Sequence, residues 1–176
     1  MKNNVLFAFV ILFTIGIAGC SQKSTSAFKP NSEPDGYAGI KWGTQFSEIK
    51  SSDMVESRNT IDLAEPDKKI KIFYTRKSDQ LKLGEAALDK IEYVFWFGKF
   101  ADVRIIASGS ENFDKLKNYL FDKYGPVNKF QSAYTWDGKV TKIIFKYDES
   151  AKSVLLSIAS TSLAAEEVKE LYDRDK

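Results

Sequence analysis

Histidine is absent from the 176 residues, and cysteine occurs once, at position 20. The first absence removes the usual general base, the Ser–His and Cys–His nucleophile systems and the commonest transition-metal ligand. The second rules out an intramolecular disulfide and leaves no thiolate elsewhere for catalysis. Charge of either sign is not in excess, with Lys+Arg 26 against Asp+Glu 24. A nucleic-acid partner normally demands a clustered basic face, so this balance argues against one, and against a polybasic grip on a membrane. No apolar run reaches the ~20 residues that span a bilayer. What remains is a chain with 43% hydrophobic residues, enough to stabilise one domain of ordinary size by burial alone.

The first twenty residues read MKNNVLFAFVILFTIGIAGC. Lys2 supplies a positive start, an apolar run follows over residues 5–18, and the small residues Ala18 and Gly19 precede Cys20. This is the layout of a secretory signal peptide. The ending Ile17-Ala18-Gly19-Cys20 resembles the lipobox of bacterial lipoproteins, with Ile17 in place of the commoner leucine. The resemblance implies a diacylglyceryl group on Cys20, removal of residues 1–19, and a membrane as the partner of that lipid. Two or more acyl chains hold firmly where one does not, at about 0.8 kcal/mol per buried methylene. Ser21, rather than Asp, follows the cysteine. In two-membrane bacteria such lipoproteins usually travel to the outer membrane and face the periplasm. A soluble secreted protein with a chance cysteine, or an uncleaved membrane helix, are the competing readings. Residues 20–36 are polar, with one aromatic, and are expected to form a flexible tether. Residues 37–176 are then a single domain.

Periodicity predicts an α+β domain with a mostly antiparallel sheet and helices packed on one face. Residues 37–43 look like a short strand, and Thr44 suits the cap of a helix reaching Lys50. Residues 69–76 alternate, with Ile70, Ile72 and Tyr74 on one side. Residues 88–97 and 100–108 form a hairpin around Gly98-Lys99, where a leading glycine suits a type II′ turn. Ser110 begins a helix carrying Phe113, Leu116, Leu120 and Tyr124, stopped by Gly125-Pro126. Residues 131–136 and 139–147 flank Asp137-Gly138, a type I′ signal. That turn puts Trp136 in the core with Tyr134, Ile143, Phe145 and Tyr147, and Lys142, Ile144 and Lys146 outside. Residues 153–160 form the last strand. Thr161 or Ser162 starts a helix carrying Ala164, Val168, Leu171 and Tyr172. Helix followed by three strands occurs twice, a pattern compatible with a degenerate duplication, although the two halves barely match in sequence.

Gly39-Ile40-Lys41-Trp42-Gly43-Thr44, followed by Ser47-Glu48-Ile49, resembles a segment near the start of an uncharacterised family of exported bacterial proteins. That resemblance implies an exported α+β domain and no known activity. The alternation of helix and hairpin is also loosely similar, in topology alone, to small lipoproteins of outer-membrane assembly and to β-lactamase-inhibitor-type domains, and topology does not fix function.

No cofactor-binding, metal-binding or catalytic set emerges. Trp42 reads as a core residue in preference to a ligand platform. Glu92, Asp102, Glu111, Asp114, Asp148 and Glu149 show no pair in an apolar setting, as a carboxylate-dependent hydrolase would need. Asp148-Glu149-Ser150 lacks the spacing of a calcium loop and reads as a turn. Ser-x-x-Lys occurs at Ser26–Lys29 and Ser47–Lys50 without the companion motifs of a Ser–Lys hydrolase. The aromatic hairpin is the most informative feature. A Gly98-Lys99 turn pairs Phe97 with Phe100, Phe95 with Asp102 and Tyr93 with Arg104, opposite a face of Val94, Trp96, Ala101, Val103, Ile105 and Ala107. Tyr93, Phe95, Phe97, Phe100 and Arg104 would then form a partly exposed patch for a protein or peptide partner, unless another segment covers the rings. The expectation is a non-enzymatic, membrane-anchored envelope lipoprotein with a binding role; the alternative is a hydrolase acting on envelope polymers.

Overall fold

The computed structural model describes residues 27–50, 52–61 and 69–174, leaving Cys20, the expected export signal over residues 1–19 and Ser26 outside the described residues. The chain opens with a small hairpin of β1 (Gly36–Tyr37) and β2 (Ile40–Lys41). After it come β3 (Met54–Ile61), β4 (Lys69–Arg76), the short pair β5 (Lys82–Leu83) and β6 (Ala86–Ala87), β7 (Lys90–Trp96) and β8 (Lys99–Ser108). Helix α1 (Ser110–Tyr124) leads to β9 (Lys129–Phe130), β10 (Ala133–Asp137), β11 (Thr141–Asp148), β12 (Ser153–Ser160) and α2 (Thr161–Arg174). Eight strands make one antiparallel sheet in the order β3-β4-β7-β8-β12-β11-β10-β9. Two consecutive meanders therefore meet at their last strands, β8 and β12, and the domain is α+β with a mostly antiparallel sheet.

Alternation along the strands sets the core. Val103, Ile105 and Ala107 of β8, Val154, Leu156 and Ile158 of β12, and Ile143 and Phe145 of β11 all point to one buried face. Helix α1 lies over that face through Leu116, Leu120 and Tyr124, with Phe113 stacked on Phe145 at 4.8 Å. It starts one residue after Gly109, without a side-chain cap, and ends where Gly125 donates its N–H to the Phe121 carbonyl. The contacts of α2 fall on the other face. Leu163 is buried, and Glu167 and Glu166 reach Lys71 and Lys99, which share the face of Trp96. The two helices thus do not share one face of the sheet. Val168 and Tyr172, expected on the packed side of α2, are largely exposed.

The expected helix over 44–50 is a single 3-10 turn, Phe46–Glu48, preceded by Gln45. Tertiary contacts hold it short: Phe46 donates its N–H to the Gly98 carbonyl, and its ring stacks on Tyr74 at 4.2 Å. Trp42 packs against the core, 5.0 Å from the Phe100 ring, and donates its indole N–H to Thr141.

The expected tether also differs. From Ala27 onward the chain is docked on the domain. Ala27 donates its N–H to the Asp137 carbonyl and Lys29 to that of Tyr124. Phe28 is buried, its ring edge-on to Tyr124 at 5.6 Å. The Glu33 carboxylate accepts the backbone N–H groups of Val140 and Thr141 at 2.6 and 3.0 Å. Residues 27–46 run as a strap along one end of the sheet, from the β10–β11 loop to the β7–β8 turn. A polar composition with one aromatic looked unable to fold alone; here that aromatic supplies the burial and an existing core receives it.

The strap also reshapes the second hairpin. Trp136 pairs with Ile143 and Asp137 with Lys142, four residues beyond the expected register. Gly138 lies against the strap, where an added Cβ would stand 2.1 Å from Glu33 Oε1 and 2.7 Å from the Phe28 ring. Side chains alternate with a period of two, so a shift of four leaves every residue on its face. Trp136, Ile143 and Phe145 are buried as expected, and Lys142, Ile144 and Lys146 point outward.

Candidate partner-binding surface

The β7–β8 hairpin departs from its expected register by two residues at the turn and, past a bulge, by one. Its loop is Phe97-Gly98, both at positive φ (44° and 78°), with Trp96 paired to Lys99. Positive φ at both central residues is the signature of a type I′ turn. Ala101 forms a bulge, and beyond it Tyr93 pairs with Val103, Glu92 with Arg104 and Ile91 with Ile105. A one-residue slip moves every side chain of a strand to the other face.

The expected aromatic patch is corrected accordingly. Tyr93, Phe95 and Phe100 are fully buried beside Val103 and Ile105 in the core. Phe95 meets Phe46, Tyr74 and Phe100 at centroid distances of 5.1, 5.6 and 5.4 Å. Phe97 sits half-buried in the turn against Trp96. Arg104 stands on the opposite face, away from these rings. The five residues do not form one surface.

The face carrying Arg104 is the more interesting one. Over β4 and β7 it is closed: Phe73, Glu92, Val94 and Trp96 are buried. Arg58 reaches over from β3 and donates from Nη2 and Nε to Glu92 at 2.9 and 3.3 Å, with its guanidinium 3.4 Å from the Phe73 ring centroid. Lys90 adds an ion pair to the same carboxylate at 2.6 Å. Burial pushes the Glu92 carboxyl up, but the Arg58 and Lys90 hydrogen bonds outweigh it and hold the group at about 2. Arg104 lies 5.2 Å from the Phe73 ring centroid and donates to Asp102 at 3.0 Å, and Ser157 donates to the same carboxylate at 2.9 Å. Burial raises the Asp102 pKa against those two partners. A cavity of about 150 Å³ separates α2 from this part of the sheet, lined by Lys71, Val94, Asp102, Arg104, Ala159 and Glu167 among others. Ligand pockets commonly run to ~300–1,000 Å³, so this gap holds little beyond water or a small ion.

Across β8, β12, β11 and β10 the same face opens. Ile106, Leu155 and Ser157 are half-exposed, and Ile144 is 36% exposed. Register places them side by side, Leu155 opposite Ile106 and Ser157 opposite Ile144 and Arg104. Lys90, Lys142 and Lys146 border them. Among the described residues no element closes this half of the face, whereas its reverse side carries the buried core residues Val103, Ile105, Ile143, Phe145, Leu156 and Ile158. The result is an aliphatic strip with a basic rim, chemistry suited to binding. Periodicity did place Ile144, Lys142 and Lys146 outside. It also put Arg104 on a partly exposed face, but the long-range pairing of β8 with β12, which sets Arg104 and Ile106 beside Ser157 and Leu155, has no local signal.

The remaining candidates are engaged or solvated. Lys29 donates from Nζ to the Asp122 carbonyl, and Ser47 on the 3-10 turn and Lys50 beyond it are exposed. Asp148 accepts the N–H groups of Ser150 and Ala151, which makes its segment the turn between β11 and β12. No helix among the described residues is long and apolar enough to cross a membrane.

No family model matches the chain, and no solved structure does. Among curated proteins it is similar to PWWP domain-containing protein 5 of Arabidopsis thaliana, 29% identical over 85 residues. That alignment covers 48% of this chain but only 13% of the plant protein's length.

Proposed function

We propose that the chain is an envelope lipoprotein, held on a membrane by lipid on Cys20, and that the open half of its sheet binds a protein or peptide partner. The export signal and the Ile17-Ala18-Gly19-Cys20 ending support the anchor. In a two-membrane organism Ser21 favours the outer membrane, with the domain in the periplasm. One observation carries the binding role: a sheet packed on one face leaves Ile106, Ile144 and Leu155 together in solvent on the other, beside Arg104. Contiguous apolar surface rimmed by charge marks interaction sites, and arginine is among the residues enriched at their hot spots. The sheet order, with two four-stranded meanders meeting at β8 and β12, also supports reading the fold as a degenerate duplication in which the first helix has shrunk to the 3-10 turn.

The test is site-specific photocrosslinking in intact cells. A probe at Ile144 should give a discrete adduct, while the same probe at Glu111, exposed on α1, should give none. Equal labelling at both positions, or none at either, rejects the binding face. In parallel, Cys20→Ala should abolish incorporation of labelled fatty acid; persistent labelling rejects the anchor.

A further inference from the structure

The strap fixes where a lipid anchor would pull. Ala27 is pinned to the Asp137 carbonyl, at the end of the sheet that carries the β10–β11 loop. Six residues lie between it and Cys20, a reach of at most about 25 Å even when fully extended. The opposite end of the sheet, the turn after Asp148, lies one β11 length away, about 24 Å over its steps of 3.4 Å. With that far end on the bilayer, the link from Cys20 to Ala27 would have to run fully extended along the sheet, at the limit of its reach.

We infer that the β10–β11 loop end of the domain is its membrane-facing surface, with Lys139 and Val140 seated at the lipid headgroups. This rests on the Cys20 anchor proposed above. Val140 is 47% exposed although apolar, and Lys139 beside it is exposed. An apolar tip next to a cation suits the boundary between acyl chains and anionic headgroups. The Glu33 carboxylate holds the loop by two backbone N–H groups, so its tip is fixed relative to the exit point of the chain. The strands then rise from the membrane, and the turn at Glu149 points away from it.

The experiment uses the full-length lipidated protein in vesicles of phosphatidylethanolamine and phosphatidylglycerol. Acylated Cys20 does not react with thiol reagents, so Val140→Cys and Glu149→Cys each accept one polarity-sensitive fluorophore; Lys139→Cys serves where Val140→Cys does not fold. Nitroxide-headgroup lipids should quench the probe at 140 or 139 several-fold more than at 149. Vesicle flotation together with equal or stronger quenching at 149 overturns the orientation and leaves the anchor standing. Failure to float, with no fatty acid incorporated, overturns the anchor and the orientation with it.

Discussion

Truncating Phe95 to alanine tests the hairpin register directly, because the two registers give opposite outcomes. In the observed register the ring is fully buried and has three aromatic neighbours within 5.6 Å. Loss of such a side chain combines lost transfer free energy with a cavity that neighbours only partly fill, about 3–5 kcal/mol. Near the 150-residue size each kcal/mol lowers Tm by roughly 2–4 °C, so a fall of about 10–15 °C is expected. Phe97→Ala, in the turn and half-buried, should cost under about 1 kcal/mol, a change of a few degrees at most. Melting of both variants by circular dichroism, with urea midpoints as a second measure, decides it. A fall under about 3 °C for Phe95→Ala, or a larger loss at Phe97 than at Phe95, would refute the Phe97-Gly98 turn and restore the aromatic patch.

Trp136 is fully buried and donates its indole N–H to the Gly125 carbonyl at 2.8 Å; Trp136→Ala should cost about 3–5 kcal/mol in chemical denaturation. Gly138→Ala should loosen the strap by driving a Cβ into Glu33 and Phe28, which limited proteolysis would detect as faster cleavage within residues 27–36 while the sheet stays intact. Glu92 is held at about 2 in the fold against an ordinary 4.5. Its stabilising contribution is therefore complete above about pH 4.5 and lost as pH falls toward about 2. The gap in Tm between the wild type and Glu92→Gln should accordingly shrink across that window, and a gap independent of pH would contradict the Arg58–Glu92–Lys90 cluster. Lys146→Glu, on the exposed rim opposite Leu155, should weaken crosslinking at Ile144 while the domain stays folded.

How much of this was legible in the sequence depended on parity. The Asp137-Gly138 signal mislocated its turn, yet the core partition of β10 and β11 survived, since the true register lies four residues away. The Gly98-Lys99 signal misplaced its loop by one residue, an even shift of two in the pairing, and the bulge at Ala101 made the step odd, which exchanged the faces of β7 while Val103, Ile105 and Ala107 of β8 stayed in the core. Turn preferences favoured that reading because they reserve a positive-φ first loop position for Gly, Asn or Asp. Phe97 holds φ 44° there, a strained choice for a bulky residue that tertiary packing imposes and local chemistry does not advertise. Helix α1 was readable from its spacing because its apolar stripe is its own signal. The docking of Phe28 was not, since it depends on a groove beside Tyr124 and Gly138 assembled from residues about a hundred positions later.

The seam between β8 and β12 also sets the order in which the chain can fold. Within each meander, neighbouring strands of the main sheet are joined by turns or short segments, so their pairing closes small loops at little entropic cost. Across the seam the partners, such as Asp102 and Ala159, are on the order of fifty residues apart, and such non-local pairings dominate folding time. The N-terminal meander emerges first and must hold an apolar strand edge at β8 unpaired until β12 arrives. Substitutions along that seam should slow folding more than they speed unfolding, and the half-built state, with its strand edge open, is the species most exposed to aggregation.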